Sequence, residues 1–108
     1  MPIINVPVSQ ISDWDTFHDV FSVTLGFPEF YGRNLNAWID CLTYVDEQDG
    51  MSTVPVPPGD VLTLQLDEGS LFAERCPEQY AALVRAAAFV NWRRIEVGLR
   101  AIIALSFH

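Results

Sequence analysis

Three short apolar runs limit what this chain can fold into: IINVPV at 3–8, DVLTLQL at 60–66 and AIIALSF at 101–107. The middle run alternates, placing Leu62, Leu64 and Leu66 on one face, the period of a strand. Pro7 ends the first run or marks an edge. The last run is continuously apolar, as expected of a strand covered on both faces or central in a sheet. Two segments of helical periodicity separate each run from the next. Strand, helix, helix, strand, helix, helix, strand is the order that pairs strands in parallel through crossovers, so the expected fold class is α/β.

The first helix is expected from about Asp13 to Leu25. Ser12 followed three residues later by Asp15 reads as an acidic variant of the capping box, and Asp13, Asp15 and Asp19 put negative charge where the helix dipole favours it. Trp14, Phe17, Phe21 and Leu25 give a core stripe, and Gly26 suits the position after the last turn. His18 lies beside that stripe without a second histidine or a cysteine motif, so it reads as structural or solvated. Further on, Ser70 is expected to cap a brief helix over Leu71 to Arg75, and Pro77 to open the next. That helix should carry Tyr80, Leu83, Val84 and Ala87 on one stripe and end between Val90 and Arg94. NWRRIEVGLR then reads either as a helix extension or as a basic loop.

The segment from Phe27 to Val45, FPEFYGRNLNAWIDCLTYV, holds the candidate site. Pro28 and Gly32 punctuate an aromatic turn around Phe30 and Tyr31, and Asn34 stands as the N-cap of a short helix. On a wheel of about 100° per residue, Leu35, Trp38, Ile39, Cys41 and Leu42 share one side, and Asn36, Asp40, Thr43 and Tyr44 the other. Asp40 therefore faces water. Arg33 at the helix start and Asp46, Glu47 and Asp49 past its end oppose the helix dipole, which reads either as solvated loop charge or as a sign of function.

PEFYGRNLNAWIDCL resembles the signature of the barstar family, intracellular protein inhibitors of secreted barnase-type ribonucleases. Pro28, Glu29, Phe30, Tyr31, Gly32, Asn34, Leu35, Asp40, Cys41 and Leu42 follow the family pattern without a gap. The resemblance implies a single barstar-like domain over residues 1–108, with a small three-stranded parallel sheet packed with helices. It also implies a partner-binding face built from the acidic helix and the preceding aromatic loop. Asp40 takes the place of the family's dominant acidic contact. Phe30 stands where the family has a contacting tyrosine, and Gly32 and Asn34 match contact positions near the helix start. Asn36 replaces an aspartate, Ile39 a tryptophan, and Tyr44 with Val45 a glycine and a tryptophan. The family's second acidic contact, from its last helix, has no acid to match it around Asn91, so Asp46, Glu47 and Asp49 are expected to keep the patch negative.

Charge agrees with such a partner. Fourteen acids against six basic residues give a net −8, which disfavours nucleic acid and favours a basic protein. All six basic residues are arginines, which carries no functional weight. Two cysteines, Cys41 and Cys76, are too few for a disulfide framework and not spaced as metal ligands, so reduced buried thiols are expected. No apolar run approaches the roughly 20 residues of a membrane span, and the N-terminus lacks the pattern of a secretory signal, so the expected location is the cytoplasm. DEQDGMSTVPVPPGD is a long connection that reads as a mobile insertion or a functional surface; a Pro-rich ligand for an SH3-type groove is the minor reading. The expected function is inhibition of a basic ribonuclease or related toxin protein by a chain that is monomeric when free. The alternative is a barstar-like immunity or adaptor protein whose partner is not a ribonuclease. No cofactor, metal, nucleic acid or membrane is expected as a ligand, and no nucleophile–base pair or phosphate-cradling loop suggests an enzyme.

Overall fold

A computed structural model of the chain describes residues 2–46 and 52–107. Its sheet has three parallel strands, β1 (Ile3–Val6), β2 (Leu62–Leu66) and β3 (Ile103–Phe107), in the order β1-β2-β3. Ile3 pairs with Thr63, and Leu62 with Ile103. The alternating run is the central strand: Leu62, Leu64 and Leu66 are fully buried, while Thr63 and Gln65 on the other face are half-buried. The continuous apolar run belongs instead to an edge strand, and Phe107 at its end is half exposed. An edge position removes neighbours on one side, so uniform apolarity here did not mean full coverage. Pro7 ends β1, and Val8–Gln10 form a single turn of 3₁₀ helix.

Four helices complete the described elements: α1 (Trp14–Leu25), α2 (Leu35–Thr43), α3 (Gly69–Arg75) and α4 (Pro77–Glu96). Helix α1 starts where expected, but the cap is Asp13 rather than Ser12. Asp13 Oδ1 accepts the Thr16 N–H at 2.8 Å, and Thr16 Oγ1 accepts the Asp13 N–H at 3.0 Å, so the reciprocal pair lies one residue later. Phe17, Phe21 and Leu25 are fully buried, Trp14 is half-buried, and Gly26 ends the helix in the left-handed region at φ +62°.

Helix α3 begins at Gly69, two residues before the expected start, and Ser70 does not cap it. A Cβ on residue 69 would meet the Phe107 ring at 2.5 Å, so glycine lets the helix start pass beneath the end of β3. Helix α4 overruns its expected end and reaches Glu96, which resolves NWRRIEVGLR as a helix extension followed by a turn at Gly98 (φ +84°). Tertiary bonds hold that extension. Asn91 Oδ1 accepts the N–H groups of Ile102 and Ile103, Asn91 Nδ2 donates to the Ile103 carbonyl, and Arg94 Nε donates to the Arg100 carbonyl. The inner stripe of α4 is Ala82, Leu83, Ala86, Ala87 and Val90; Tyr80 is half-buried, and Val84, expected on that stripe, points outward.

Helix α4 packs against α2, α3 and β3, and α1 against β1, so α2 rests on α4 with one side free. In the connection after α2, Val54 and Val56 are buried, Ser52 Oγ donates to the Leu25 carbonyl, and Thr53 N–H donates to the same oxygen. The stretch is anchored through these residues, while Pro55, Pro57 and Pro58 stay exposed. Cys41 and Cys76 are buried and unbridged.

Candidate functional site

The site is built on α2. Asn34, extended at φ −145°, accepts the Ala37 N–H through Oδ1 at 2.8 Å, which starts the helix as expected. Arg33 before it lies in the left-handed region at φ +53° and turns its guanidinium back to α1, reaching the Asp19 carboxylate and the Asp15 carbonyl, each at 2.9 Å. The charge that seemed misplaced at this helix start is thus held by acids of the first helix. Trp38, Cys41 and Leu42 are buried, with Leu35 and Ile39 half-buried. Burial, helped by the adjacent Asp40 charge, pushes the Cys41 thiol up to about 11, so it stays protonated and packs as an apolar group. Thr43, expected on the outer side, is buried and donates its hydroxyl to the Ile39 carbonyl at 2.6 Å.

At the other end of α2, Arg94 Nη1 donates to the Thr43 carbonyl at 2.7 Å, and its two terminal nitrogens reach the two Asp46 oxygens at 3.1 Å each. The two side chains are 3% and 10% exposed. Burial pushes the Asp46 carboxyl up, but the hydrogen bonds from Arg94 and the Gly59 N–H, with the Arg94 charge, outweigh it and hold the group below its ordinary value. Asp46 is therefore neither a solvated loop charge nor part of an outward negative patch. Its cation comes from α4, where no pattern local to α2 could reveal it. Val45, expected as a partner contact, packs in the core and is 3% exposed. Glu47 and Asp49 lie outside the described residues.

Between these ends, Asp40 projects from the free side of α2 with 56% of its side chain exposed, as its helix position predicted. It is not unpaired, however: Arg93 Nη1 from α4 lies 2.8 Å from Asp40 Oδ1. Asn36 is exposed on the same helix, Phe30 (77% exposed) stands in the turn before it, and Gly32 and Asn34 are exposed beside Phe30. Tyr44 is exposed at the far end. A shallow groove of about 290 Å³ separates α2 from α4, lined by Asn36 and Ile39 on one side and by Arg85 and Phe89 on the other. Sequence reasoning missed the α4 side because nothing within that helix shows which outer face meets α2, although Arg85 and Phe89 lay inside its expected bounds. With the helix continued to Glu96, the spacing of Arg85, Phe89 and Arg93 at four-residue steps places all three along the α2 border.

Residues 1–104 match the family described as Barstar (barnase inhibitor). The chain belongs to the barstar family. Its four helices and three-stranded parallel sheet agree with the barstar-like α/β fold. No curated protein matches the chain. Barstar-family proteins are inhibitors, and a ribonuclease is the partner that membership implies in general. Among the described residues no helix is long and apolar enough to cross a membrane, and no cluster of three His, Cys, Asp or Glu side chains is placed to hold a metal ion.

Proposed function

We propose that this chain is an antitoxin-type inhibitor of a basic barnase-type ribonuclease and that it acts in the cytoplasm as one domain spanning residues 1–108. The active site of such a nuclease is a cationic cleft built for phosphate. Asp40, carried outward on α2, enters that cleft as a phosphate surrogate, flanked by Phe30, Gly32, Asn34, Asn36, Ile39 and Tyr44. The observation that carries the reading is the position of Asp40 within a barstar-family chain: a carboxylate more than half exposed on the outer surface of a helix held by hydrogen bonds at both ends. Its pairing with Arg93 does not remove it from use. An exposed ion pair is worth about 0–1 kcal/mol, less than a desolvated interfacial charge pair returns.

The test is inhibition of RNA hydrolysis by a basic ribonuclease encoded next to this gene, with binding followed by calorimetry. Asp40→Ala should weaken the complex by about 2 kcal/mol or more, roughly thirtyfold in Kd. A loss under about 0.5 kcal/mol would place the interface elsewhere. If the neighbouring gene product is a non-nuclease that binds through the same face, the chain is instead an immunity or adaptor protein that kept the fold and changed its target.

A further inference from the structure

Immediately around Asp40 the described charges alternate in sign. The net charge is −8, yet Asp40 is the single charged residue in α2, and α4 borders it with Arg85 and Arg93. Among the other described acids, Asp13, Asp15 and Asp19 lie around the start of α1 and Glu68, Glu74 and Glu78 around α3 and the start of α4, while Glu29 is exposed in the turn before α2 and Glu96 at the end of α4. A partner docking on α2 therefore meets alternating signs at short range. In water the Asp40–Arg93 pair, with side chains 56% and 35% exposed, is screened and contributes little.

Under a docked protein the balance changes. A cation brought to Asp40 comes within a few ångströms of the Arg93 guanidinium, which lies 2.8 Å from the same carboxylate. The water that screened the two positive charges is then excluded. Asp40 then supplies one negative charge to two cations, and on burial the cluster carries a positive charge that nothing in this chain offsets.

We propose that Arg93 is a specificity-determining residue that guards Asp40, refusing a cleft that offers cations alone and admitting a nuclease that sets a carboxylate against Arg93 while setting a cation against Asp40. The four groups then alternate in sign and each charge is satisfied on burial. Phe89, half exposed one turn before Arg93 on the groove, gives this second contact an apolar floor. The inference rests on the inhibitor reading and adds the chemistry of the rim that the cognate enzyme must carry.

Barnase, the enzyme named in the family description, serves as a probe of a cationic cleft. Binding to it is compared for the unmodified chain, Arg93→Ala, Arg93→Glu, Asp40→Asn and the Asp40→Asn/Arg93→Ala double variant, with thermal melts to confirm that each is folded. Arg93→Ala should bind barnase at least about tenfold more tightly than the unmodified chain and Arg93→Glu more tightly still, with the gain abolished when Asp40 is also replaced. Arg93→Ala binding no more tightly, including the case in which neither protein binds measurably, overturns the proposal. A failure of the inhibitor reading shows separately, as no inhibition of the neighbour-encoded ribonuclease by the unmodified chain. A failure of the guard leaves that inhibition, and its dependence on Asp40, intact.

Discussion

Arg94 and Asp46 form a two-pronged ion pair beneath the C-terminal end of α2, and the same guanidinium caps the Thr43 carbonyl. A cation at a helix C-terminus satisfies both the dipole and an orphan carbonyl, so α2 gains from α4 what its own sequence withholds. Asp46 then offsets the charge this cation buries. With Asn34 closing the other end, α2 is held at both termini while its middle, carrying Asp40, stays open to solvent.

Removing one member of this pair strands the other. Asp46→Ala should lower the free energy of unfolding by about 3 kcal/mol in urea titrations, because Arg94 would remain buried without its carboxylate. The pH dependence has a defined sign. The folded-state value of Asp46 lies below its ordinary one, so its contribution is complete above the unfolded carboxylate value near 3.9 and is lost as pH falls through the lower folded value. Unmodified protein should lose stability steeply in that acid window, and Asp46→Asn should show a shallower slope there.

His18 controls a second window. Its Nδ1 lies 2.6 Å from the Tyr31 hydroxyl in a buried contact between α1 and the turn before α2. Burial lowers its value and the Arg33 charge adds to this, against the weaker opposing pull of Asp15 and Asp19. With the folded value below the unfolded one near 6.5, the unfolded chain takes up a proton first as pH falls. Stability is thus complete above about pH 6.5 and declines below it until the folded histidine also protonates. Melts between pH 7.5 and 5 should show this decline, and His18→Gln should flatten it; an equal slope in the variant would remove His18 as the cause.

What the sequence revealed depended on how local the cause was. The alternation of Leu62, Leu64 and Leu66, the stripe of Phe17, Phe21 and Leu25, the Asn34 cap and the outward Asp40 all follow from spacing within one element, and the structure bears them out. Arg93 and Arg94 were not readable as partners of Asp40 and Asp46, since each pair joins residues about fifty positions apart across a helix–helix contact. Val45 and Thr43 turned inward for the same reason: the core they enter is supplied by other elements. The strand order, with the most apolar run at an edge, is likewise set by how the helices cross the sheet rather than by the run itself.

The Asn34 cap gives a test of α2 that does not involve a partner. Asn34→Ala removes the acceptor of the Ala37 N–H and should cost about 1 kcal/mol by chemical denaturation, whereas Asn34→Asp or Asn34→Ser should cost clearly less. Equal losses for Ala and Ser would show that the side-chain oxygen is not what stabilises this end.

Gly26 links α1 to the connection that covers it. Its φ of +62° already disfavours any side chain, by about 1 kcal/mol for alanine. A Cβ there would also collide with the Thr53 hydroxyl and stand 2.8 Å from Thr53 Cβ, a distance that rotating the Thr53 side chain cannot change. Nor can residue 53 easily withdraw, because its N–H is bonded to the Leu25 carbonyl at 3.1 Å. Gly26→Ala should therefore destabilise by about 2–3 kcal/mol, more than the backbone term alone. In a double-mutant cycle with Thr53→Gly, which removes the opposing Cβ, the two changes should couple by at least about 0.5 kcal/mol in the compensating direction. Strict additivity would mean that the 52–58 connection lifts away from α1 without cost, and that the burial of Val54 and Val56 adds nothing to the stability of the fold.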